Sequence, residues 1–431
     1  MSRLPAGAST RFGALHHAPY RRYWLGSAAS VGGFQLLIMG QGWLVYELSG
    51  SPLDLGFLGA ASSIPTIAAA LAGGVIADRV DRRRMLIVTS SIIAGLLVLL
   101  AALDGTGVVA VWHVLAIAAA IALIAGLDFP SRQAFFPSLI PREQMMSAVA
   151  LNSMLWQGSR MVLPGLGGVV IALVDTWAVF AAGAIGFMAM TRVMASFTPT
   201  PAAEVPLATG HSGRQFVDGI RYIASHRLFW VLILLTYATT FFGISYVQLM
   251  PAFARLLGVG ETGYGLLLSA TGVGAITGNL IAAPLQRSPR LGRLMVAAPM
   301  GGAVAIVGFA LCVALLPDAS IGYVLALVCG MLTAVCMSMY FVASMTQLQL
   351  AVPDALRGRV MGIYTICFSL VPLGGLLGGV VAAVTSPPFA AALNAGVLAA
   401  IVVVMAITQP ALRRLDGGAP VSVEPQEPRG R

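Results

Sequence analysis

The sequence predicts an all-α polytopic membrane protein whose twelve transmembrane helices form two six-helix bundles. Of its 431 residues, 58% are hydrophobic and 10% are charged, whereas a soluble domain carries about 25% charged residues. So few charges cannot cover a globule of this size in water. At about 20 apolar residues per span, the length leaves room for roughly ten to fourteen spans.

The individual helices are predicted from apolar runs that arginine, proline and glycine interrupt. The first run follows Arg21 and Arg22 and is too long for the core of a signal peptide, so we expect it to remain as a span. The predicted spans are residues 23–48, 53–77, 85–103, 109–129, 147–174, 177–197, 229–254, 263–285, 294–316, 321–347, 360–384 and 389–408.

The distribution of arginines predicts the orientation. If the N-terminus is cytoplasmic, one group of arginines shares its side, and Arg255 remains on the other. The group consists of Arg79, Arg82, Arg83, Arg84, Arg132, Arg142, Arg192, Arg214, Arg221, Arg227, Arg287, Arg290, Arg293, Arg357, Arg359 and the arginines of the tail. Because positive loops are retained in the cytoplasm, we expect both termini there, in a bacterial inner membrane.

A long segment between spans six and seven divides the chain into two halves. It is rich in Pro, Thr and Ala, and then places Phe216, Ile220 and Ile223 at helical spacing, as in a helix on the membrane surface. We therefore expect an N-terminal segment 1–22, a bundle 23–197, a linker 198–227, a bundle 228–408 and a disordered tail 409–431.

Composition excludes several function classes. All 25 basic residues are arginine, so the chain has neither a phosphate-binding GxxxxGK[ST] loop nor a Schiff-base lysine. The four cysteines lie in apolar runs without CxxC spacing, and no metal or cofactor is expected. The net charge of +9 fits topology and anionic lipid better than nucleic acid. Active transport would have to use a gradient.

The loop between spans two and three carries the most specific motif. It places Gly74 four residues before Asp78 and Arg79, and Arg82 and Arg83 follow. Gly74 permits close helix approach, and Asp78 can cap the next helix. The pattern resembles motif A of the major facilitator superfamily, G-x-x-x-D-R-x-x-R-R. That resemblance implies the fold of this superfamily, a small-molecule substrate and a gating role for these residues.

Further motifs resemble the branch that contains the enterobactin exporter and related drug exporters, over residues 11 to about 408. They are Tyr23-Trp-Leu-Gly26, Leu44-Val-Tyr-Glu47, Gly126-Leu-Asp128-Phe-Pro130-Ser-Arg132 and Arg357-Gly-Arg359. Pro164, Gly167 and Gly168 resemble motif C of the antiporters, with Leu163 in place of its first glycine. Packing between helices explains them equally well, as it does Gly374 and Gly378.

Two charges stand out inside the predicted hydrocarbon region, Asp128 and Arg160. In members with motif A, an acid at the place of Asp128 pairs with the arginine here numbered Arg82, so we expect a gating clasp. Arg160 lies near the midplane without an acid at its depth, and helix carbonyls, water, neighbouring amides or an anionic solute could serve as its partner.

The leading interpretation is a proton-coupled exporter of a siderophore or an amphipathic drug. It would work by alternating access, in which the two bundles rock around a central cavity. A receptor of the same fold and a membrane enzyme are the alternatives, although clustered catalytic residues are lacking. We expect a monomer. The residues predicted to line the cavity are Gln35, Asn152, Trp156, Arg160, Tyr237, Tyr340 and Tyr364.

Overall fold

The computed structural model describes residues 13–77, 81–198, 221, 223, 226–286, 288–316 and 320–413, with the side chains of residues 70–77, 227, 228, 354, 355, 411 and 413 excepted. Asp78, Arg79, most of the linker and residues 414–431 lie outside this part, as do the side-chain surroundings of Gly74. The helices are α1 Ala18–Ser49, α2 Pro52–Ala77, α3 Arg82–Gly105, α4 Val111–Phe135, α5 Met145–Leu173, α6 Thr176–Ala195, α7 Phe229–Leu256, α8 Gly260–Leu285, α9 Leu291–Leu315, α10 Ser320–Ala351, α11 Leu356–Val384 and α12 Pro387–Thr408.

The predicted all-α membrane fold is confirmed. Ten of these helices are long and apolar enough to cross a membrane. The remaining two, α2 and α5, have 26 and 29 residues, which agrees with the predicted twelve spans. Large apolar side chains point outward in both halves, for example Ile185 at 63% and Leu280 at 70% exposure, as expected for contact with lipid.

Helix ends follow local chemistry. Gly50 has a positive φ of 62°, and its N–H donates to the Tyr46 carbonyl, which ends α1 before Pro52 opens α2. Asp81 accepts a hydrogen bond from the Arg83 N–H (2.9 Å) and is the N-cap of α3. The capping role expected for Asp78 therefore belongs to Asp81.

The first span begins earlier than predicted. Helix α1 starts at Ala18 because its first turns pack on α5, where the Tyr20 hydroxyl donates to the Ala148 carbonyl (3.0 Å). The Trp24 indole N–H likewise donates to the Leu151 carbonyl (3.3 Å). At the other end of the chain, a short helix, Pro410–Arg413, follows α12 within the segment expected to be disordered.

The two halves repeat one packing scheme. In the first half, α2 and α3 pack on α4, α3 packs on α6, and α1 packs on α5. In the second half, the corresponding helices repeat these contacts: α8 and α9 pack on α10, α9 packs on α12, and the middle of α7 packs on α11. Two further pairs, α5 with α8 and α2 with α11, join the halves. Since α2 and α5 flank α1 and α4, the common face of α1 and α4 is turned toward the second half.

Two spans are interrupted at mid-length. Helix α7 contains a π turn, Thr239–Ile244, followed by a 3-10 turn, Ser245–Leu249, and α11 contains a 3-10 turn, Ile366–Ser369. Each additional or missing residue per turn rotates the faces that follow. The side-chain directions beyond these turns cannot be read from a regular helical wheel.

The seam between α9 and α10 is formed by cysteine and glycine. A Cβ atom at Gly301 would lie 3.2 Å from the Cys336 sulfur, and one at Gly308 would lie 3.3 Å from the Cys329 sulfur. All four free cysteines are in the second half. The two on α10 therefore act as small apolar side chains set against glycines.

The halves touch at one end of the bundle. We call the end where α1 begins the arginine-rich end, and the end where α1 finishes the arginine-poor end. Every hydrogen bond and ring contact between halves that the structure records for described residues lies toward the arginine-poor end, including Gln248 to the Leu55 carbonyl (3.0 Å) and the stacked rings of Trp43 and Tyr264. The space between the halves is thus closed there.

Candidate functional site

Helix α5 presents two packed faces, and Arg160 lies between them. On one face, a Cβ at Gly168 would lie 2.5 Å from the Glu261 carbonyl of α8, and Met161 lies against Gly272 of the same helix. On the other face, Leu163 packs on α1 near Gly32. At about 100° per residue, Arg160 falls between these directions and faces the space between the halves.

The Arg160 guanidinium has no hydrogen-bonding or ion-pairing partner among the described residues. It lies 15 residues into α5, about 22 Å from the start of this helix at 1.5 Å per residue. Its electrostatic neighbour is the Tyr246 hydroxyl of α7, in the other half. A cation at mid-depth that lacks an acceptor costs about 2.5–3.5 kcal/mol on insertion scales, which marks this position as functional.

Three of the predicted cavity residues share one stripe of α5. Asn152, Trp156 and Arg160 are spaced by four residues and therefore lie along one face. The Trp156 ring meets Phe34 of α1 (centroids 6.3 Å apart) and Phe129 of α4 (6.2 Å), both edge to face. The stripe is thus aromatic at its middle and polar at both ends. The predicted Gln35 is half-buried on α1, beside Phe34.

A recess opens beside this stripe, between α1, α4 and α5. It has about 10 Å³ of free room, enough for one water-sized atom. The lining residues are Tyr23, Ser27, Val31, Phe129, Arg132, Gln133, Asn152 and Trp156. Six of them were not among the predicted cavity residues, because neither α4 nor the first turns of α1 carried a polar stripe that the sequence made visible.

Asp128 pairs with a different arginine from the one expected. Its carboxylate forms an ion pair with Arg132, one turn along α4, and accepts a hydrogen bond from the Thr89 hydroxyl (2.6 Å). Arg132 also donates to the Ser30 hydroxyl (2.9 Å). Arg82 instead donates to the Ala134 carbonyl (3.2 Å). The i,i+4 spacing on α4 places the Arg132 side chain directly beside Asp128.

The other basic residue of the motif holds the end of α6. The Arg83 side chain donates to the Met194 and Ala195 carbonyls (both 2.9 Å), which are among the last carbonyls of that helix. These two hydrogen bonds connect α3 to α6 within the first half. A gating role for Arg82 and Arg83 stays a prediction.

The three predicted tyrosines lie inside the second half. Tyr340 is fully buried, with its hydroxyl 3.0 Å from the Thr236 hydroxyl, and Tyr364 is 1% exposed, with its hydroxyl 2.9 Å from that of Ser344. The Tyr237 hydroxyl donates to the Ile363 carbonyl. In this state all three hydroxyls are engaged within the bundle.

Tyr246 was missed for a physical reason. It follows the π turn of α7, where the number of residues per turn changes, and its ring contacts Phe309 of α9, whereas the Tyr237 hydroxyl is bonded to α11. A regular helical spacing from Tyr237 therefore points to the wrong residues. No pattern in the amino-acid sequence indicates where such a turn falls.

The predicted packing residues lie at close helix approaches. The Pro164 carbonyl lies against Gly265 of α8, and Gly167 lies against Leu36 and Met39 of α1. Gly374 meets the Phe241 carbonyl, and Gly378 lies 3.5 Å, measured from an added Cβ, from the Asn394 amide. Within the described ranges, no three His, Cys, Asp or Glu side chains are placed to hold a metal ion.

Comparison with known proteins decides the family. A family model described as "Transmembrane secretion effector" matches residues 9–428. The chain belongs to this family, within the major facilitator superfamily. It is thus a multi-pass membrane transporter, as the resemblance implied.

Curated relatives and solved structures agree with this assignment. The enterobactin exporter EntS of Citrobacter koseri is 26% identical over 304 residues, which cover 68% of each chain, and that of Shigella flexneri is 25% identical over the same length. The nucleoside transporter NupG has a TM-score of 0.71 at 12% identity, covering 91% of this chain and 99% of its own. A bacterial homologue of the iron transporter ferroportin, in an inward-facing state, has a TM-score of 0.68 at 14% identity, covering 90% and 98%. These structures show the fold alone.

Proposed function

We propose that this transporter exports a small amphipathic solute with acidic or phenolic oxygens, driven by the proton gradient. The observation that carries the proposal is the unpaired Arg160 guanidinium at mid-depth, facing the space between the halves. A planar guanidinium with five donors is suited to carboxylate or phenolate oxygens. The relatives named as enterobactin exporters favour export as the direction.

Alternating access supplies the transport cycle. With the arginine-rich end in the cytoplasm of a bacterial inner membrane, the contacts at the arginine-poor end close the periplasmic side, and a solute enters from the cytoplasm. Separating α2 from α11 and α5 from α8 would then open the other side. The proton gradient is the proposed energy source because the lysine-free chain has no Walker site.

Flux into proteoliposomes tests this function. The probes are an aromatic carboxylate, biphenyl-4-carboxylate, a catechol, 2,3-dihydroxybenzoate, and a cation, tetraphenylphosphonium, each with and without a pH gradient. We expect gradient-driven flux of the acidic or phenolic probes. In Arg160→Gln this flux should fall about 10- to 100-fold, the equivalent of about 1.5–3 kcal/mol for hydrogen bonds to a charged group. Arg160→Lys is the matched control that keeps the charge and loses the fork.

Two outcomes would contradict the proposal. One is wild-type flux of the cation but not of either oxygen-bearing probe. The other is an equal loss of all probes in Arg160→Gln together with a lower folded yield, which would give Arg160 a structural role. Binding without flux of any probe would instead favour a receptor.

A further inference from the structure

The recess beside the α5 stripe combines a buried cation with polar groups that lack partners. Arg132 is 9% exposed. Its Nε donates a hydrogen bond to the Asp128 carboxylate and its Nη1 donates one to the Ser30 hydroxyl, while its Nη2 has no hydrogen bond to any described residue. Ser27 is 4% exposed, and its Oγ has no partner in hydrogen-bond geometry. The side-chain amides of Gln133 and Asn152 make no hydrogen bond within the part of the chain that the structure describes.

These groups define what the recess can accept. Gln133 is exposed, Asn152 is half-buried and Ser27 is buried, so an occupant of the recess would meet polar groups from α1, α4 and α5 together. Arg132 Nη2 and the two amide nitrogens are donors, and the ion pair with Asp128 leaves the guanidinium in place. The free room of about 10 Å³ holds one atom of oxygen size. An acceptor oxygen at the end of a larger molecule matches these donors and this room.

The rest of such a molecule would lie against the aromatic part of the stripe. Trp156 and Phe129 both line the recess and contact each other edge to face. Phe129 is 52% exposed, so its ring is available to a solute. A planar aromatic body beside Trp156 would have one end at the recess and the other directed along α5 toward Arg160.

The spacing of the two arginine sites sets the length of the solute. Asn152 at the recess and Arg160 are eight residues apart on α5, about 12 Å along the helix axis. We infer that the transported solute is held at two points, by an oxygen in the Arg132 recess and by a second acidic or phenolic group at Arg160. This inference rests on the proposed function and deepens it: the substrate class is an aromatic molecule with acceptor groups at both ends.

A matched pair of probes tests two-point binding to the purified full-length protein. Biphenyl-4,4′-dicarboxylate carries an acceptor at each end, and biphenyl-4-carboxylate has the same body and one acceptor. Their dissociation constants are measured by calorimetry in detergent. We expect wild type to prefer the two-ended probe at least tenfold. The preference should fall to within about twofold in Asn152→Leu and in Gln133→Ala, which leave the Asp128–Arg132 pair intact.

The control is Ser153→Ala, a neighbouring exposed position on α5 whose hydroxyl bonds to its own helix at Val149. It should keep the full preference. Equal affinity of wild type for the two probes, or a preference that survives both recess variants, would overturn the inference. If Arg160→Gln still abolishes flux of the oxygen-bearing probes in that case, the proposed function stands without the second site. If Arg160→Gln changes neither flux nor preference, the proposed function fails as well.

Discussion

At the scale of single residues, two arginines inside the bundle differ in whether they have an acidic partner. Arg160 lacks an acceptor and faces the space between the halves. Arg132 is buried, and an acid one turn away neutralises it. A buried guanidinium that is already paired needs no further partner, whereas an unpaired one leaves its donors open to another acceptor.

The buried ion pair predicts a large effect of Asp128→Asn. Removing one partner of a buried pair leaves an uncompensated charge, which costs about 3–5 kcal/mol. We expect the melting temperature of the purified protein to fall by several degrees and transport to be lost. Thr89→Val removes the hydroxyl that donates to the same carboxylate and should cost about 1.5–3 kcal/mol, less than the loss of the ion pair. Equal stability of Asp128→Asn and wild type would show that the pair is not formed in the membrane.

The residue scale also shows what a sequence can predict. Asn152, Trp156 and Arg160 are predicted as cavity residues one by one, and they lie on one face because α5 is regular along this stretch. The four-residue spacing between Asp128 and Arg132 was visible, yet the family pattern directed attention to Arg82. Tyr246 could not be found, because its direction depends on a π turn that forms in the folded bundle.

At the scale of helices, glycines set how closely the halves approach. A Cβ at Gly379 of α11 would lie 2.6 Å from the Pro52 carbonyl and 3.0 Å from the Gly56 Cα of α2. On the other flank, Gly168 of α5 meets Glu261 and Thr262 of α8 in the same way. Backbone lies against backbone at both places, so neither contact can yield as a flexible side chain would.

This geometry predicts that one added methyl group shifts the conformational equilibrium. Gly379→Ala or Gly168→Ala should disfavour the state closed at the arginine-poor end. Spin labels at residues 49 and 385, which flank that end in the two halves, should then show a larger population of long distances. The control is Gly95→Ala on α3, where a Cβ would meet nothing within 4 Å. Unchanged distance distributions in both seam variants would contradict this prediction.

At the scale of the whole molecule, the arginine asymmetry and the repeated packing scheme fit together. Because each half has six helices, an even number, the chain ends each half on the side of the membrane on which that half began. Corresponding loops of the two halves therefore lie on the same side. Composition and hydropathy sufficed to predict this architecture, because lipid requires helices of fixed length. The contact pairs α2–α11 and α5–α8 needed the structure.

The orientation is a prediction that reporter fusions can check. Fusions after Ser49, Gly105, Thr176, Gly260, Asp318 and Ser386 should all report the periplasm, because positively charged loops are held in the cytoplasm. Fusions after Arg142 and Arg293 are the matched cytoplasmic controls. A cytoplasmic signal at two or more of the six positions would refute the topology.

The cysteine seam of α9 and α10 has a practical consequence for spectroscopy. Distance measurements with thiol-reactive labels require the native cysteines to be replaced, and all four of these cysteines lie in the second half. Cys329 and Cys336 sit against glycines with little spare room, so the replacement must be no larger than sulfur. Alanine meets that limit and stays apolar, whereas valine would push the two helices apart. A thiol-free background can therefore be made by changing four positions in one bundle, while the stripe of α5 proposed to bind the solute keeps its native sequence.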